Sequence, residues 1–176
     1  MSESTLSLIL ASGSLLVLFT SLVAVLGVGA PGAVSLRRLV LTRGTWLSFA
    51  IAAIAVSGSL YYSEVAHFVP CTLCWYQRIA MYPLAIVLLV AAVTRDQRPA
   101  RYIVPIAAAG LLVSLYHYQL ELFPEQATMC TSGVPCSFRY VEEFGFISIP
   151  FMAGVGFISI LALQAATWRA RRVRGV

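Results

Sequence analysis

The sequence predicts an all-α integral membrane protein, and three observations support that prediction. Of its 176 residues, 60% are apolar and only 11% are charged, whereas soluble domains usually carry about 25% charged residues. The mean hydropathy is +0.87. Five apolar stretches each approach the length of about 20 residues that a helix needs to cross a bilayer. The net charge of +5 could suggest nucleic acid, but the arginines lie between apolar stretches, so we expect a lipid bilayer and no nucleic acid as partner.

The five apolar stretches predict five membrane-spanning helices in chain order. They cover residues 6–30, 46–62, 73–93, 102–120 and 147–168. The first could instead be a cleaved signal peptide, with the small residues at 27–30 as its cleavage site. However, it lacks a basic amino-terminal region. Its apolar run of about 25 residues is also longer than the apolar region of a signal peptide, which has about 7–15 residues. We therefore expect a retained helix.

The distribution of arginine predicts the orientation, because cytoplasmic connections carry an excess of basic residues. With five spans, ten arginines share one side: Arg37, Arg38, Arg43, Arg95, Arg98, Arg101, Arg169, Arg171, Arg172 and Arg174. The other side carries Arg139 and six glutamates: Glu3, Glu64, Glu121, Glu125, Glu142 and Glu143. We expect the arginine-rich side and the C-terminus to be cytoplasmic, and the N-terminus to lie outside.

Four cysteines form two pairs, and this topology places both pairs outside, where disulfides persist. Of the three pairings that four cysteines allow, short separation favours Cys71–Cys74 and Cys130–Cys136 at rest, with a cross-pairing such as Cys71–Cys130 during turnover. Bridges over such short loops remove little unfolded-state entropy, so redox couples are favoured over structural bridges. A four-cysteine metal site is a further alternative. It explains neither Arg78 nor the membrane, so we expect no metal.

The first pair stands where a helix is expected to begin. Pro70 and the turn before it favour a helix start near Cys71, where free N–H groups and the helix dipole stabilise a thiolate. Arg78 lies four residues after Cys74, on the same face and about 6 Å deeper. It could stabilise the Cys74 thiolate and hydrogen-bond a quinone carbonyl. The alternative is an arginine that extends to the headgroups.

Aromatic residues and histidine near this pair are further candidates. Trp75, Tyr76 and Tyr82 could line a flat pocket, although Trp and Tyr are also ordinary residues of the membrane interface. His117, at the outer end of its stretch, is a candidate for proton handling or for quinone contact. Together with His67 it could bind haem, but two isolated histidines more often only form hydrogen bonds.

The second pair lies in a loop rich in turn-forming residues. Gly133 and Pro135 favour a turn, which predicts an exposed, mobile tip where a soluble partner's cysteine can attack one sulfur. The following segment, residues 138–146, mixes aromatic and charged side chains and could form a short helix on the membrane surface. Pro150 fits the opening turn of the last span.

These motifs together resemble a known family. The sequence CTLCWYQR at residues 71–78 is followed by Met81-Tyr82-Pro83, by CTSGVPCS at residues 130–137 and by GFISIPF at residues 145–151. This combination resembles the bacterial disulfide-bond formation protein DsbB family, most of all its BdbC-like branch. The resemblance covers residues 46–168 and implies a DsbB-like four-helix transmembrane bundle. Residues 1–45 would add an N-terminal transmembrane helix and a cytoplasmic loop, and residues 169–176 a basic cytoplasmic tail.

The resemblance also implies an activity. Family members reoxidise an extracytoplasmic DsbA/BdbD-like thioredoxin-fold thiol oxidase and pass the electrons to the membrane quinone pool, menaquinone or ubiquinone, in the bacterial inner membrane. This supports disulfide formation in exported proteins. By position, Cys130 would form the mixed disulfide with the partner, and Cys136 would complete the loop pair. Cys71 would receive the electrons, Cys74 would form the thiolate–quinone adduct or charge-transfer complex, and Arg78 would be the quinone-side arginine.

Two features depart from this pattern. The N-terminal helix lies outside the usual four-helix core, and the loop cysteines are closer together than in the best-known members. The vitamin K epoxide reductase family places its loop cysteines before the Cys-x-x-Cys pair, the reverse of the order here. A non-catalytic membrane scaffold with two structural disulfides is the alternative from another class. A carrier that moves electrons outward from a cytoplasmic donor is disfavoured, because no cysteine lies on the cytoplasmic side.

Overall fold

A computed structural model describes residues 3–96, 98–126, 130 and 134–174, and the regular structure in these ranges is helical. The five long helices are α1 Glu3–Gly27, α2 Val34–Leu60, α3 Thr72–Val93, α4 Ala100–Leu122 and α5 Ile149–Arg174. A π-helical turn, Tyr61–Val65, extends α2, and a 3₁₀ turn, Pro124–Gln126, follows α4. All five helices are long and apolar enough to cross a membrane, which confirms the predicted fold class.

Helix α2 begins well before its apolar stretch, which differs from the sequence prediction. We expected a loop up to residue 45, but the helix begins at Val34 and includes the first three arginines. Hydropathy marks where a helix becomes apolar, whereas arginine and leucine are good helix formers in either environment. Helix α5 likewise continues through the predicted tail to Arg174. The boundaries expected at residues 45 and 169 therefore lie inside helices.

The end of α1 and the residues that follow it are bound to neighbouring helices by arginine. The Nε of Arg37 donates a hydrogen bond to the carbonyl oxygen of Val28 at 3.0 Å, and its Nη2 donates to that of Ala30 at 2.7 Å. From α5, the Nη1 of Arg169 donates to the carbonyl oxygen of Val25 at 3.0 Å. These donors satisfy carbonyl groups that a helix end leaves unpaired. They connect α1 to both α2 and α5.

Helix α5 is the centre of the bundle. It packs against α1, α2 and α4, and α3 packs between α2 and α4. The main apolar core consists of residues from α2, α3, α4 and α5: Ala52, Met81, Leu84, Leu88, Ile103, Ala107, Phe157 and Ile160. Gly110 lets the ring of Phe157 on α5 lie close to the backbone of α4, since a Cβ at Gly110 would lie 2.3 Å from that ring.

Both cysteine pairs lie at one end of the bundle, here called the cysteine end. The start of α1 reaches this end, where the Oγ of Ser7 donates to the Oε1 of Glu143 at 2.9 Å. The loop before α5 reaches the start of α3, where the hydroxyl of Tyr140 donates to the carbonyl oxygen of Val69 at 3.2 Å. The connections between α1 and α2 and between α3 and α4 lie at the opposite end.

The loop before α5 is folded against the bundle, and one prediction about it is wrong. Residues 138–146 form turns rather than a surface helix, because Phe144 and Gly145 have φ values of 54° and 77°, which an α-helix cannot continue. Around this turn, Glu143 and Ile147 exchange two backbone hydrogen bonds of 2.9 Å. The ring of Tyr140 stacks on Phe68, with ring centroids 4.6 Å apart. Gly133, which we expected in a turn, lies outside the described residues.

Candidate redox site

The first cysteine pair begins helix α3, as the sequence predicts. Cys71 is the N-cap residue, with extended backbone angles of φ −72° and ψ 173°, and its Sγ accepts a hydrogen bond from the backbone N–H of Cys74 at 3.3 Å. The sulfur thereby takes the role that an oxygen usually plays at a helix start. Cys71 is buried and Cys74 is half-buried. The two thiols therefore lie where N–H groups favour a thiolate.

The two pairs are in different redox states. Cys130 and Cys136 form a disulfide with Cα atoms 5.8 Å apart, so that predicted bridge is confirmed. Cys71 and Cys74 are free thiols with their sulfur atoms 2.8 Å apart, so the bridge expected between them at rest is not formed. An oxidised pair beside a reduced pair fits two couples that exchange electrons.

The disulfide is more buried than the loop sequence suggests. Cys136 is 1% exposed, and it packs in one apolar cluster with Cys71, Leu73 and Leu120, which Cys130 contacts at its edge. The prediction of an exposed tip is therefore wrong for Cys136. Long-range contacts that a turn motif cannot indicate hold this loop against the ends of α3 and α4. The two cysteine pairs therefore pack in one apolar cluster.

His117 lies between the two pairs. It is 2% exposed, and its Nε2 lies 3.1 Å from the carbonyl oxygen of Cys136 and 3.6 Å from the Sγ of Cys71. A carbonyl oxygen only accepts hydrogen bonds, so Nε2 carries the hydrogen in this arrangement. Nδ1 is buried and has no hydrogen-bond partner among the described residues. His117 is therefore a donor shared by the reduced pair and the oxidised pair.

The surroundings of Cys71 favour its thiolate. Its pKa is lowered from 9.0 to about 4, first by the hydrogen bond from the Cys74 thiol and then by the hydrogen bond and charge of His117, while burial acts in the opposite direction. A lowered pKa is typical of cysteines in thiol–disulfide exchange, because the thiolate is the reacting species. The structure thus makes Cys71 the more acidic thiol of a dithiol.

Glu121, one turn after His117 on α4, is a site residue that the sequence reasoning used only for topology. Its side chain is 2% exposed, and its Oε2 lies 3.9 Å from the Nε of Arg139. The Nη2 of Arg139 donates to the backbone carbonyl of Glu121 at 3.1 Å, and its Nη1 donates to Glu142 at 2.8 Å. The i, i+4 spacing of His117 and Glu121 was the available signal. Arg139 fastens the loop to α4 beside the cysteines.

A cavity of about 340 Å³ opens beside Cys74. It lies within the range of roughly 300–1,000 Å³ that small-molecule sites occupy. Helices α1, α2, α3 and α5 all contribute to its mostly apolar wall. Cys71 and His117 line a separate, smaller cavity under the loop, and Cys74 borders both. Cys74 therefore connects the loop side of the site to the larger cavity.

Arg78 lines the large cavity, as its predicted role requires. Its Nη2 donates to the backbone carbonyl of Ser59 on α2 at 3.0 Å, and its guanidinium carbon lies 5.3 Å from the centroid of the Trp75 ring. Tyr82 also lines the cavity, and its hydroxyl donates to the Oγ of Ser59 at 3.3 Å. Trp75 and Tyr76 are about half exposed, at 53% and 52%, and are not among the lining residues. Of the three expected aromatic residues, the structure brings only Tyr82 to the wall of the cavity.

Two buried polar groups in the cavity wall lack partners. The Nε2 of Gln77 and the hydroxyl of Tyr62 have no hydrogen-bond partner among the described residues, and both residues are at least 94% buried. A buried donor left unpaired costs about 1–3 kcal/mol. These two atoms have almost no accessible surface, so Arg78 supplies the charged donor of the cavity wall. A charged donor in an apolar wall suits a flat apolar ligand that carries carbonyl oxygens, such as a quinone ring.

A metal ion fits the site less well. The ligand atoms of Cys71, Cys74 and His117 lie within 4.8 Å of one another. Two sulfurs on one tetrahedral zinc are about 3.8 Å apart, given Zn–S distances of about 2.3 Å, whereas these sulfurs are 2.8 Å apart. The disulfide between Cys130 and Cys136 also removes those two thiolates from the four-cysteine set considered above.

Comparisons with known proteins agree with this geometry. The family model "Disulfide bond formation protein DsbB" matches residues 41–167. Disulfide bond formation protein C of Bacillus subtilis is 45% identical over 127 residues, covering 71% of this chain and 90% of that protein. A probable disulfide formation protein of Oceanobacillus iheyensis is 51% identical over 116 residues, covering 64% and 80%. No solved structure matches the chain.

The chain belongs to the DsbB family of disulfide bond formation proteins. It is a multi-pass membrane protein with a role in disulfide formation. The matched region begins inside α2 and ends in α5, so α1 lies wholly outside it.

Proposed function

We propose that this protein is a protein dithiol:quinone oxidoreductase that reoxidises a DsbA/BdbD-like thioredoxin-fold thiol oxidase outside the cell membrane. The observation that carries the proposal is the position of Cys74. This free thiol lies 2.8 Å from Cys71 on one side and lines the large apolar cavity with Arg78 on the other. The family and the printed names of the relatives support disulfide formation as the outcome.

Electrons enter at the loop disulfide. A dithiol of the partner attacks the Cys130–Cys136 bond, with Cys130 as the proposed attacked sulfur, and exchange leaves a partner disulfide and two loop thiols. The loop dithiol then reduces a Cys71–Cys74 disulfide, which re-forms the loop bridge. Each exchange moves two electrons and two protons. The shared apolar cluster of the two pairs supports this order.

His117 positions the exchange between the pairs. Its Nε2–H faces both the Cys71 sulfur and the Cys136 carbonyl. Hydrogen bonding to a thiolate stabilises that sulfur when it leaves a disulfide. We therefore assign His117 to positioning and charge stabilisation. The quinone contact considered from the sequence is not part of this proposal, because His117 lines the smaller cavity.

Electrons leave through the large cavity. Oxidation of the Cys71–Cys74 dithiol to a disulfide releases two electrons and two protons, which a quinone, when bound, accepts to become a quinol. Arg78 would hold a quinone carbonyl beside Cys74. Donors fixed before the reaction stabilise negative charge that develops on an acceptor oxygen. The apolar wall keeps bulk water away from the reacting thiols.

We place the cysteine end outside the cell and the C-terminus in the cytoplasm. The excess of arginine at the opposite end supports this orientation. A membrane-impermeant maleimide applied to intact cells should label a single cysteine introduced at Glu125, which is exposed at the cysteine end. Labelling only after the membrane is broken would reverse the proposed orientation.

The function is tested with the purified full chain, a reduced thioredoxin-fold oxidase and a soluble quinone. We expect quinone absorbance to fall as the partner becomes oxidised, with one quinol formed per partner disulfide. Cys74→Ser should abolish quinol formation. Ser57→Ala, on α2 and outside both cavity walls, is the matched control. An unchanged rate of quinol formation in Cys74→Ser would rule out the proposed electron path.

A further inference from the structure

We propose that helix α1 forms the wall along which the isoprenoid tail of the quinone lies, and so sets the preference for tailed quinones. This inference rests on the proposed function. Helix α1 lies outside the family-matched region, which begins at residue 41. The family therefore gives no role to this helix, and its role must be read from its contacts.

One face of α1 lines the large cavity. The lining residues recur at helical spacing, which places them on one side of the helix: Ile9, Leu10, Gly13, Ser14 and Val17. Ser7 and Ala11, beside this face, are buried and small, and Ser21 and Ala24 are buried and small further along it. Small residues allow close helix packing in a membrane, and α1 packs mainly against α5. Helix α1 thus bounds the cavity over residues 9–17 and packs closely against its neighbours where its small residues lie.

Contacts at both ends of α1 hold this wall in place. Ser7 donates to Glu143 of the loop at the cysteine end, and Arg169 donates to the carbonyl of Val25 at the other end. One turn after Ser7, a methyl carbon of Leu10 would lie 3.2 Å from a Cβ placed at Gly58 of α2. The helix is therefore anchored along its length to α2, to α5 and to the loop.

The contacts of Gly58 also fix the depth of each part of the wall. Gly58 precedes Ser59, whose carbonyl accepts the hydrogen bond from Arg78. Leu10 therefore lies near the level of Arg78. Gly13 and Val17 lie about 4.5 Å and 10 Å further from the cysteine end, at 1.5 Å per residue.

The ring and the tail of a bound quinone would lie at different depths in the cavity. Cys74 and Arg78 line the cavity towards the cysteine end, where the carbonyl-bearing ring would bind. The deeper wall is formed by apolar residues of four helices, including Val17, Ile51 and Phe157. A chain attached to the ring would extend along this wall, since apolar surface favours an apolar occupant. Because the same cavity contains Cys74 and Arg78, we assign this occupant as the tail of the same quinone.

Gly13→Leu tests the inference with little risk to the fold. A Cβ at Gly13 meets no atom within 4 Å, and leucine is a better helix former than glycine. The new side chain would occupy the space assigned to the tail. Ser12→Leu is the matched control, because Ser12 is exposed and is not among the lining residues.

The probes are 2-methyl-1,4-naphthoquinone, which has no tail, and the same ring carrying one, two or four isoprene units. Quinol formation is measured with a reduced thioredoxin-fold oxidase as electron donor. We expect Gly13→Leu to raise KM about tenfold for the tailed quinones and to leave KM for the tail-free ring within twofold. Ser12→Leu should change neither value.

The outcomes separate this inference from the proposed function. An equal KM for tailed quinones in Gly13→Leu and the wild type would overturn the role of α1, because a lipid chain or nothing would then occupy the deep wall. An equal rise for the tailed and tail-free quinones would also overturn it. If the wild type reduced none of the probes, or benzoquinones of the same tail series, the proposed function itself would fail.

Discussion

Removing the hydrogen-bond donor of His117 should make Cys71 less acidic. Hydrogen bonds to charged groups contribute about 1.5–3 kcal/mol. The contact between Nε2 and Sγ is 3.6 Å long and is shared with the Cys136 carbonyl, so we take the lower end. Since about 1.4 kcal/mol corresponds to one pKa unit, His117→Leu should raise the pKa of Cys71 by about one unit. The hydrogen bond from Cys74 remains the larger contribution.

The assay follows the ultraviolet absorbance of the thiolate across a pH series in the reduced wild type and variants. In the wild type, Cys71 should titrate below the usual pKa of a cysteine thiol, because Cys74 and His117 donate hydrogen bonds to it, and in His117→Leu the midpoint should move upwards. His117→Gln is the control, because its amide keeps an N–H donor and should retain part of the effect. An identical midpoint in the wild type and His117→Leu would refute the argument that His117 stabilises this thiolate.

Three further predictions concern the cavity, the core and the loop. Arg78→Gln should raise the quinone KM about tenfold and leave the rate of partner oxidation in a single turnover unchanged. A slower partner oxidation with an unchanged quinone KM would contradict the place of Arg78 in the cavity. Gly110→Ala should lower the free energy of unfolding by about 1–3 kcal/mol, because its Cβ would meet the Phe157 ring at 2.3 Å. Gly154→Ala is its control, with an ordinary contact of 3.4 Å; equal melting temperatures for the two variants would contradict the packing. Tyr140→Leu removes the stacking on Phe68 and the hydrogen bond to Val69, so hydrogen exchange in residues 138–146 should increase, and an unchanged exchange rate would show that other contacts hold the loop.

Local sequence signals predicted the helices and the place of the first cysteine pair at the start of α3. A continuous apolar run indicates each span, and Pro70 before the Cys-x-x-Cys motif indicates the start of α3. The position of Arg78 beside Cys74 also follows from local spacing, since residues four apart share a helix face. These features need no knowledge of how distant segments meet.

Features that depend on tertiary contacts were not predictable. Hydropathy could not show that α2 begins at Val34, because the helix continues beyond its apolar run. The burial of Cys136 depends on contacts with α3 and α4 that are distant in sequence. The cavity that Cys74 and Arg78 share forms only where α1, α2, α3 and α5 meet.

The most direct test of the proposed path uses the redox state that the structure displays, with Cys71 and Cys74 reduced and the Cys130–Cys136 disulfide intact. Protein in this state is mixed anaerobically with one equivalent of quinone and no partner, and both products are quantified by absorbance and by mass-spectrometric disulfide mapping. The account predicts one quinol per chain and a new disulfide between Cys71 and Cys74. Unreduced quinone, or quinol formed while Cys71 and Cys74 remain thiols, would contradict it.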